Sequence, residues 1–475
     1  MLRTTFWLTL VTLGGLLLGF AREWQLVAAW GAGARSDAFL VALFLPEALR
    51  MSLAAGVLAA ALLPLLGGQP AAQRPAWLAG LVRGLLLAGA AAALLLGLGA
   101  PLWVRLVGPG LGQAGWADAA GSLALLAASL PLLLVHGLGS AVGQGRERFV
   151  LAGLGSLFYN LPPVLLLGWH GPALEERTLA LGFVAGSALM AASVLPLLWA
   201  EGWRPWLAGQ GMASLRPLAA RLLPLLASAS ASQLLALLER VVASWLGEGA
   251  ITLVNLARKL VNLPLMALGS LNQVVLARLV RQGTDAGARV QTLRQALRLT
   301  TALTLPAAVG LVAAAPVLVA WLLPAGLAGG PLPGLLAALA CVIVFGAWNA
   351  LLARHAYATG DTVSPLRCEL AGNALTVAGL LLLPPLIGLA GIAWATLGGC
   401  LLTGVLLLQR HRLLGEPLVR GLPLLAVLGL AVAALLQWAS AGVLQLLLAS
   451  LHGLAWLLLL AGWAWRAQRP AQPSA

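Results

Sequence analysis

Apolar segments of about twenty residues recur along nearly the whole chain, and they leave few folds open. A helix needs about 20 residues to cross the hydrocarbon core of a bilayer. Leu, Ala, Gly and Val fill segment after segment of that length. The connections are short and carry Gly, Pro and charge, as at Gly67-Gly68-Gln69-Pro70 and Ala328-Gly329-Gly330-Pro331. A transmembrane β-barrel would show short alternating segments instead. Only 9% of the 475 residues are charged, against about 25% in a soluble domain, and the mean hydropathy is +0.96. The fold class is therefore an all-α polytopic membrane protein. The net charge of +14 would suggest nucleic-acid binding in a soluble chain. Here the charges lie between apolar spans and form no basic stripe, which excludes that class.

Fourteen spans are predicted, at about 6–29, 37–65, 78–100, 120–143, 150–169, 178–200, 218–243, 251–277, 297–322, 333–356, 367–386, 389–408, 421–440 and 443–464. The first is expected to be a helix rather than a signal peptide, because it carries Arg22-Glu23 internally, has no clear cleavage site and is followed by many more spans. With the N-terminus inside, 20 of the 28 basic residues fall on cytoplasmic connections and flanks. Three (Arg35, Arg105 and Arg177) fall on the opposite side, and five (Arg22, Arg50, Arg240, Arg258 and Lys259) inside spans. This asymmetry places both termini in the cytoplasm. The longest basic connection is 278–296, between the eighth and ninth spans. Trp30, Trp77, Trp103, Trp245, Trp438 and Trp465 sit near span ends, where an aromatic interface belt accounts for them.

The cations inside spans are the candidate site. A cation at mid-bilayer costs about 2.5–3.5 kcal/mol on insertion scales, so it is expected to face a bundle interior or a wet cavity. Arg22 lies too deep in span one to snorkel, and Glu23, its chain neighbour, is expected to point elsewhere. Arg50 has Glu47 three residues back on its own helical face. That pair reads either as a self-neutralised packing element or as a cavity cation tempered by its acid. Pro46 is expected to kink the span. Asp37, after Ser36, reads either as a first-turn acid with Ser36 as the cap or as a gating or ion-coupling group. Arg258 and Lys259 open the deep part of span eight, followed by Asn262, Pro264, Asn272 and Gln273. Arg240 is read as snorkelling to the outer surface. Together these cations imply that something anionic is handled inside the membrane. The five histidines and three cysteines show no metal-ligand spacing, and no nucleophile elbow, paired acidic motif or phosphate loop is present. No enzymatic arrangement, metal or cofactor is expected.

Leu18-Gly19-Phe20-Ala21-Arg22-Glu23, then Gly31 to Ala42 (GAGARSDAFLVA), then Leu45-Pro46-Glu47-Ala48-Leu49-Arg50 together resemble the MurJ/MviN family of lipid II flippases. That family sits in the multidrug/oligosaccharidyl-lipid/polysaccharide transporter superfamily. Weaker matches follow in order at Arg148-Phe149 with Asn160, Ser230-Ala231-Ser232-Gln233, Ala257-Arg258-Lys259-Leu260 and Tyr357-Ala358-Thr359-Gly360-Asp361. The resemblance implies two six-helix lobes (1–210 and 211–415), two additional helices (416–475) and a central cavity. It also implies transport of an undecaprenyl-diphosphate-linked saccharide across the bacterial cytoplasmic membrane by alternating access. Arg22, Arg50 and Lys259, with Arg258, would bind the diphosphate, and Asp37, Glu23 and Glu47 would serve gating or ion coupling. The implied partners are the lipid-linked saccharide, membrane lipids and polysaccharide or cell-wall synthesis machinery. Three positions depart: Leu16, Met51 and Ala55 stand where the family carries charge. An exopolysaccharide repeat unit as cargo, rather than lipid II, would accommodate those departures. The competing readings are a cation-coupled drug antiporter of the same superfamily and a membrane glycan polymerase, which would need a larger outer loop than residues 101–119 provide.

Overall fold

The computed structural model describes residues 2–54, 56–209, 212–267, 286–323, 330–358, 361, 363–439 and 441–466. Among these residues every regular element is a helix. Apolar sequence dictates this outcome, because in lipid a backbone N–H or C=O must find its partner within the protein. Among the described residues eight helices are long and apolar enough to cross a membrane, or nine if one bent pair forms a single span. The chain divides into two compact units, Met1–Thr252 and Leu253–Ala475.

Unit 1 contains α1 (Leu2–Trp30), α2 (Ala34–Ala54), α3 (Val57–Gly67), α4 (Arg74–Leu98), α5 (Ala100–Val107), α6 (Gly112–Leu126), α7 (Leu130–Gly145), α8 (Phe149–His170), α9 (Glu176–Ala200) and α10 (Met212–Trp245). Helix α8 lies between α1 and α9, α7 packs on α4 and α9, and α10 rests against α3 and α4. Glycine makes the closest of these approaches possible. A Cβ on Gly15 of α1 would stand 2.8 Å from the Ser156 hydroxyl of α8, and one on Gly186 of α9 would run into the Tyr159 carbonyl. Close backbone approach through small residues is the usual way membrane helices gain contact area.

The predicted span 37–65 is two helices rather than one. Helix α2 runs straight through Pro46, and the break comes at Gly56, whose φ is 85°. Glycine reaches that left-handed region without steric cost. The break thus lies nearly three helical turns beyond Pro46, where the kink was expected.

The two ends of unit 1 are marked by charge. At one end Glu201, which follows α9, receives both Arg146 from the end of α7 and Arg74 from the start of α4, the latter at 3.4 Å. At the other end of α9, Arg35 pairs with Glu176 and donates to the Leu174 carbonyl at 2.7 Å. The Trp30 indole reaches the same carbonyl at 3.2 Å. Arg74 and Arg146 thus lie at one end of α9 and Arg35 at the other.

Helix α11 (Ala250–Ala267) crosses the division between the units. Unit 2 continues with α12 (Ala286–Leu322), α13 (Leu332–Ala340), α14 (Val342–Ala358), α15 (Val363–Leu382), α16 (Pro384–Ile387), α17 (Leu389–Arg410), α18 (Pro417–Ala439) and α19 (Gly442–Arg466). Helix α12 is its axis, in contact with α13, α14, α18 and α19, while α15 and α17 form a tight pair. The expected connection 278–296 is corrected in part. Residues 286–296 are already helix, and Leu293, Ala296 and Leu297 are buried in the unit 2 core with Trp348, Leu351 and Leu408. Residues 278–285, like Asn272, Gln273 and Ala55, lie outside the described residues.

Candidate functional site

Helices α1, α2, α8 and α9 bring two of the predicted cations into the interior of unit 1. Arg22 is 2% exposed, and its NH1 donates to Asn160 Oδ1 of α8 at 2.8 Å. Its NH2 pairs with Glu23, itself 3% exposed. The expectation that neighbouring residues on a helix point apart is therefore wrong here. Both groups are sealed from water, and a buried charge that lacks a partner costs far more than bending the long arginine side chain back along its helix. The Arg22 guanidinium also stands 5.0 Å from the Phe183 ring centroid of α9.

Arg50 forms the second half. Its Nε and NH2 grip Glu47 Oε2 and Oε1 at 3.3 and 2.7 Å, the forked pairing that the i,i+3 spacing predicts. Its guanidinium lies 4.5 Å from the Tyr159 centroid, and the Tyr159 hydroxyl donates to Glu47. Tyr159 and Phe183 meet edge to face at 5.4 Å, and Phe183 continues to Phe39 at 5.9 Å. The result is a stack in the order Arg22, Phe183, Tyr159, Arg50, with two carboxylates at its flanks. Arginine over an aromatic face keeps favourable electrostatics without water. The stack holds two guanidinium groups, each beside a carboxylate.

Asp37 is 2% exposed and does something other than cap its own helix. Helix α2 begins at Ala34, and Ser36 reaches back to accept the Gly33 N–H at 3.1 Å. The Asp37 carboxylate instead faces the first turn of α11. It accepts the Gly249 and Thr252 amides at 2.7 and 2.8 Å and the Thr252 hydroxyl at 2.5 Å. The first N–H groups of a helix have no intrahelical partner, and the positive end of the helix dipole favours an anion there. Asp37 thus acts as the N-cap of α11, supplied from another helix.

Arg240 corrects a further reading. It does not snorkel: NH1 donates to the Leu40 carbonyl of α2 at 2.7 Å, and the guanidinium stands 4.6 Å from the Phe44 ring. It ties α10 to the same helix that carries Asp37, Glu47 and Arg50. Tyr159 and Phe183 were missed by sequence reasoning, since an aromatic in an apolar helix carries no mark of what stacks on it. In unit 2, Arg258 donates to Thr396 Oγ1 of α17 at 3.0 Å, and Lys259 is half-buried on the same helix. Two of the departures are placed: Leu16 is half-buried on α1, and Met51 offers its sulfur to Arg50 NH2 at 3.5 Å.

A family model described as lipid II flippase MurJ matches residues 26–460. The chain belongs to the MurJ family. The MurJ of Burkholderia cenocepacia is 27% identical over 418 residues, covering 82% of this chain and 81% of the relative. A probable MurJ of Vibrio cholerae serotype O1 is 27% identical over 329 residues, 63% of this chain and 61% of its own length. Among solved structures, a MurJ in an inward closed conformation matches with TM-score 0.85 and 17% identity over 97% of this chain and 99% of that one. An inward-facing multidrug MATE transporter matches with TM-score 0.65 and 13% identity over 90% and 96%. At those identities the structural matches concern the fold alone. Membership in the MurJ family makes this chain a multi-pass membrane transporter and not an enzyme.

Proposed function

We propose that the chain flips a polyprenyl-diphosphate-linked saccharide across the bacterial cytoplasmic membrane by alternating access, with both termini in the cytoplasm. The observation that carries this reading is the Arg22–Phe183–Tyr159–Arg50 stack. Two buried arginines, each tempered by a carboxylate, suit a ligand that carries its own paired negative charges into the membrane. The diphosphate would exchange with Glu23 and Glu47 for the guanidinium donors of Arg22 and Arg50. Asp37 would gate by holding or releasing the first turn of α11.

The names of the relatives favour lipid II as cargo. Leu16 and Met51, uncharged where the family carries charge, favour an exopolysaccharide repeat unit. Reconstitution into proteoliposomes with each lipid-linked donor in turn, read by appearance of the saccharide on the opposite leaflet, separates the two. Movement of neither donor would overturn the reading. The drug-antiporter alternative has only the MATE fold behind it, and two buried arginines do not suit a cationic drug.

A further inference from the structure

Arg240 differs from the two stacked arginines in what it leaves unused. Arg22 and Arg50 are buried, and each is paired with a carboxylate, Glu23 and Glu47. Arg240, near the end of α10, is half-buried. Its NH1 donates to the Leu40 carbonyl at 2.7 Å, and its guanidinium lies over the Phe44 ring at 4.6 Å from the centroid. Among the described residues these are its hydrogen bond and its ring contact, and neither is made to an acid. A guanidinium carries five N–H donors around its edge, while stacking on a ring occupies only its flat face. Leu40 takes NH1, so the Nε and NH2 edge is held in place with its donors unspent. The same contacts also fix where that edge stands. Leu40, Phe44 and Glu47 occupy positions i, i+4 and i+7 of α2 and so share one face. Phe44 and Glu47 are about 4.5 Å apart along the helix axis, which sets Arg240 beside the Glu47–Arg50 fork. Glu23, Glu239, Glu47 and Asp37 all bear on Arg240 electrostatically. Glu23 and Glu47 are engaged by Arg22 and Arg50, and Asp37 by the amides at the start of α11. An incoming oxyanion can therefore reach Arg240 without first displacing a carboxylate.

We propose that Arg240 is the first residue to bind the diphosphate, before Arg22 and Arg50 exchange their carboxylates for it. The inference rests on the transport reading above and adds to it a contact that selects the cargo. Two parallel N–H donors on one guanidinium edge match two oxygens of a phosphate. Phe44 keeps the guanidinium plane fixed, so little side-chain freedom is lost when the anion binds.

The test uses the full chain in phosphatidylcholine nanodiscs and radiolabelled farnesyl diphosphate, with binding to empty nanodiscs subtracted. Arg240→Gln should weaken binding at least tenfold, and Arg240→Lys, which keeps the charge but not the fork, should fall between it and wild type. In proteoliposomes Arg240→Gln should raise KM for the lipid-linked donor at least tenfold and leave kcat within threefold. A residue that only ties α10 to α2 would lower kcat and the thermal midpoint and leave affinity for farnesyl diphosphate unchanged, which would overturn the proposal. Arg50→Gln that loses binding while Arg240→Gln keeps it would leave the flippase reading standing and sink this one. A wild-type protein that neither binds farnesyl diphosphate nor flips either donor would sink both. Should Arg240→Gln not fold, phenylglyoxal labelling of wild type decides, read by mass spectrometry. Arg240 should react faster than the paired Arg22 and Arg50, and farnesyl diphosphate should slow its reaction at least tenfold. Labelling of Arg240 at the same rate with and without farnesyl diphosphate would overturn the proposal.

Discussion

Replacing Asp37 by Ala should open the first turn of α11 without unfolding unit 1. The carboxylate is the acceptor for the Gly249 and Thr252 amides, at 2.7 and 2.8 Å, and for the Thr252 hydroxyl. Both amides belong to buried residues. Each orphaned donor costs about 1–3 kcal/mol, while loss of an N-cap in soluble hosts costs about 0.5–2 kcal/mol. Fraying of a single turn admits water and recovers part of the loss, which sets the net cost at roughly 2–4 kcal/mol. At 1.36 kcal/mol per tenfold, that is roughly a 30- to 1,000-fold increase in local opening. Hydrogen exchange by mass spectrometry on protein in nanodiscs reads this directly in peptides covering 249–254. Asp37→Asn keeps one acceptor oxygen and should lose about half as much free energy. Thr252→Val, which removes only the hydroxyl, should cost about 1 kcal/mol. Protection at 249–254 within threefold of wild type in Asp37→Ala would refute the reasoning, because the cap would then hold nothing.

Other consequences follow from the same geometry. Glu201→Ala removes the shared partner of Arg74 and Arg146; both arginines are partly open to water, so the loss should be about 1–2 kcal/mol, seen as a lowered midpoint in thermal unfolding. Gly186→Ala drives a methyl into the Tyr159 carbonyl, costing about 1–3 kcal/mol, and should reduce transport more than Gly121→Ala on α6, whose Cβ would meet no neighbouring atom. The Ser364 amide and the Arg410 guanidinium hold the Asp361 carboxyl down at about 2. A depressed folded pKa gives stability that is complete above the unfolded value near 3.9 and lost as pH falls through about 2. The difference in midpoint between wild type and Asp361→Asn should therefore be constant at neutral pH and shrink below about pH 4.

The class of fold and the positions of the buried cations were legible because both are written locally, in apolar runs and in charges that interrupt them. The Glu47–Arg50 pair was legible for the same reason, since three residues on a helix share a face. What the chain does over long separations was not. Arg22 finds Asn160 and Phe183 on helices more than a hundred residues away, and nothing near Arg22 announces them. Asp37 carried the signature of a first-turn acid, yet the first turn it serves belongs to α11. Arg240 sat at a depth that allows snorkelling, but the Leu40 carbonyl offered it a partner inside the protein. Arg22–Glu23 defeated the rule for helix surfaces because neither residue is on a surface. The break at Gly56 was hidden by Pro46, the stronger sequence signal, which the helix absorbs.

We propose that the two stacked arginines receive the diphosphate of a lipid-linked saccharide. The most direct test is initial flipping rate in proteoliposomes for Arg22→Gln, Arg50→Gln and the charge-retaining Arg22→Lys and Arg50→Lys, each matched to wild type for incorporation and thermal unfolding. Loss of a charge-assisted forked contact of about 1.5–3 kcal/mol predicts that each Gln variant falls at least tenfold, with the Lys variants between it and wild type. Gln variants that fold and flip at the wild-type rate would contradict the account.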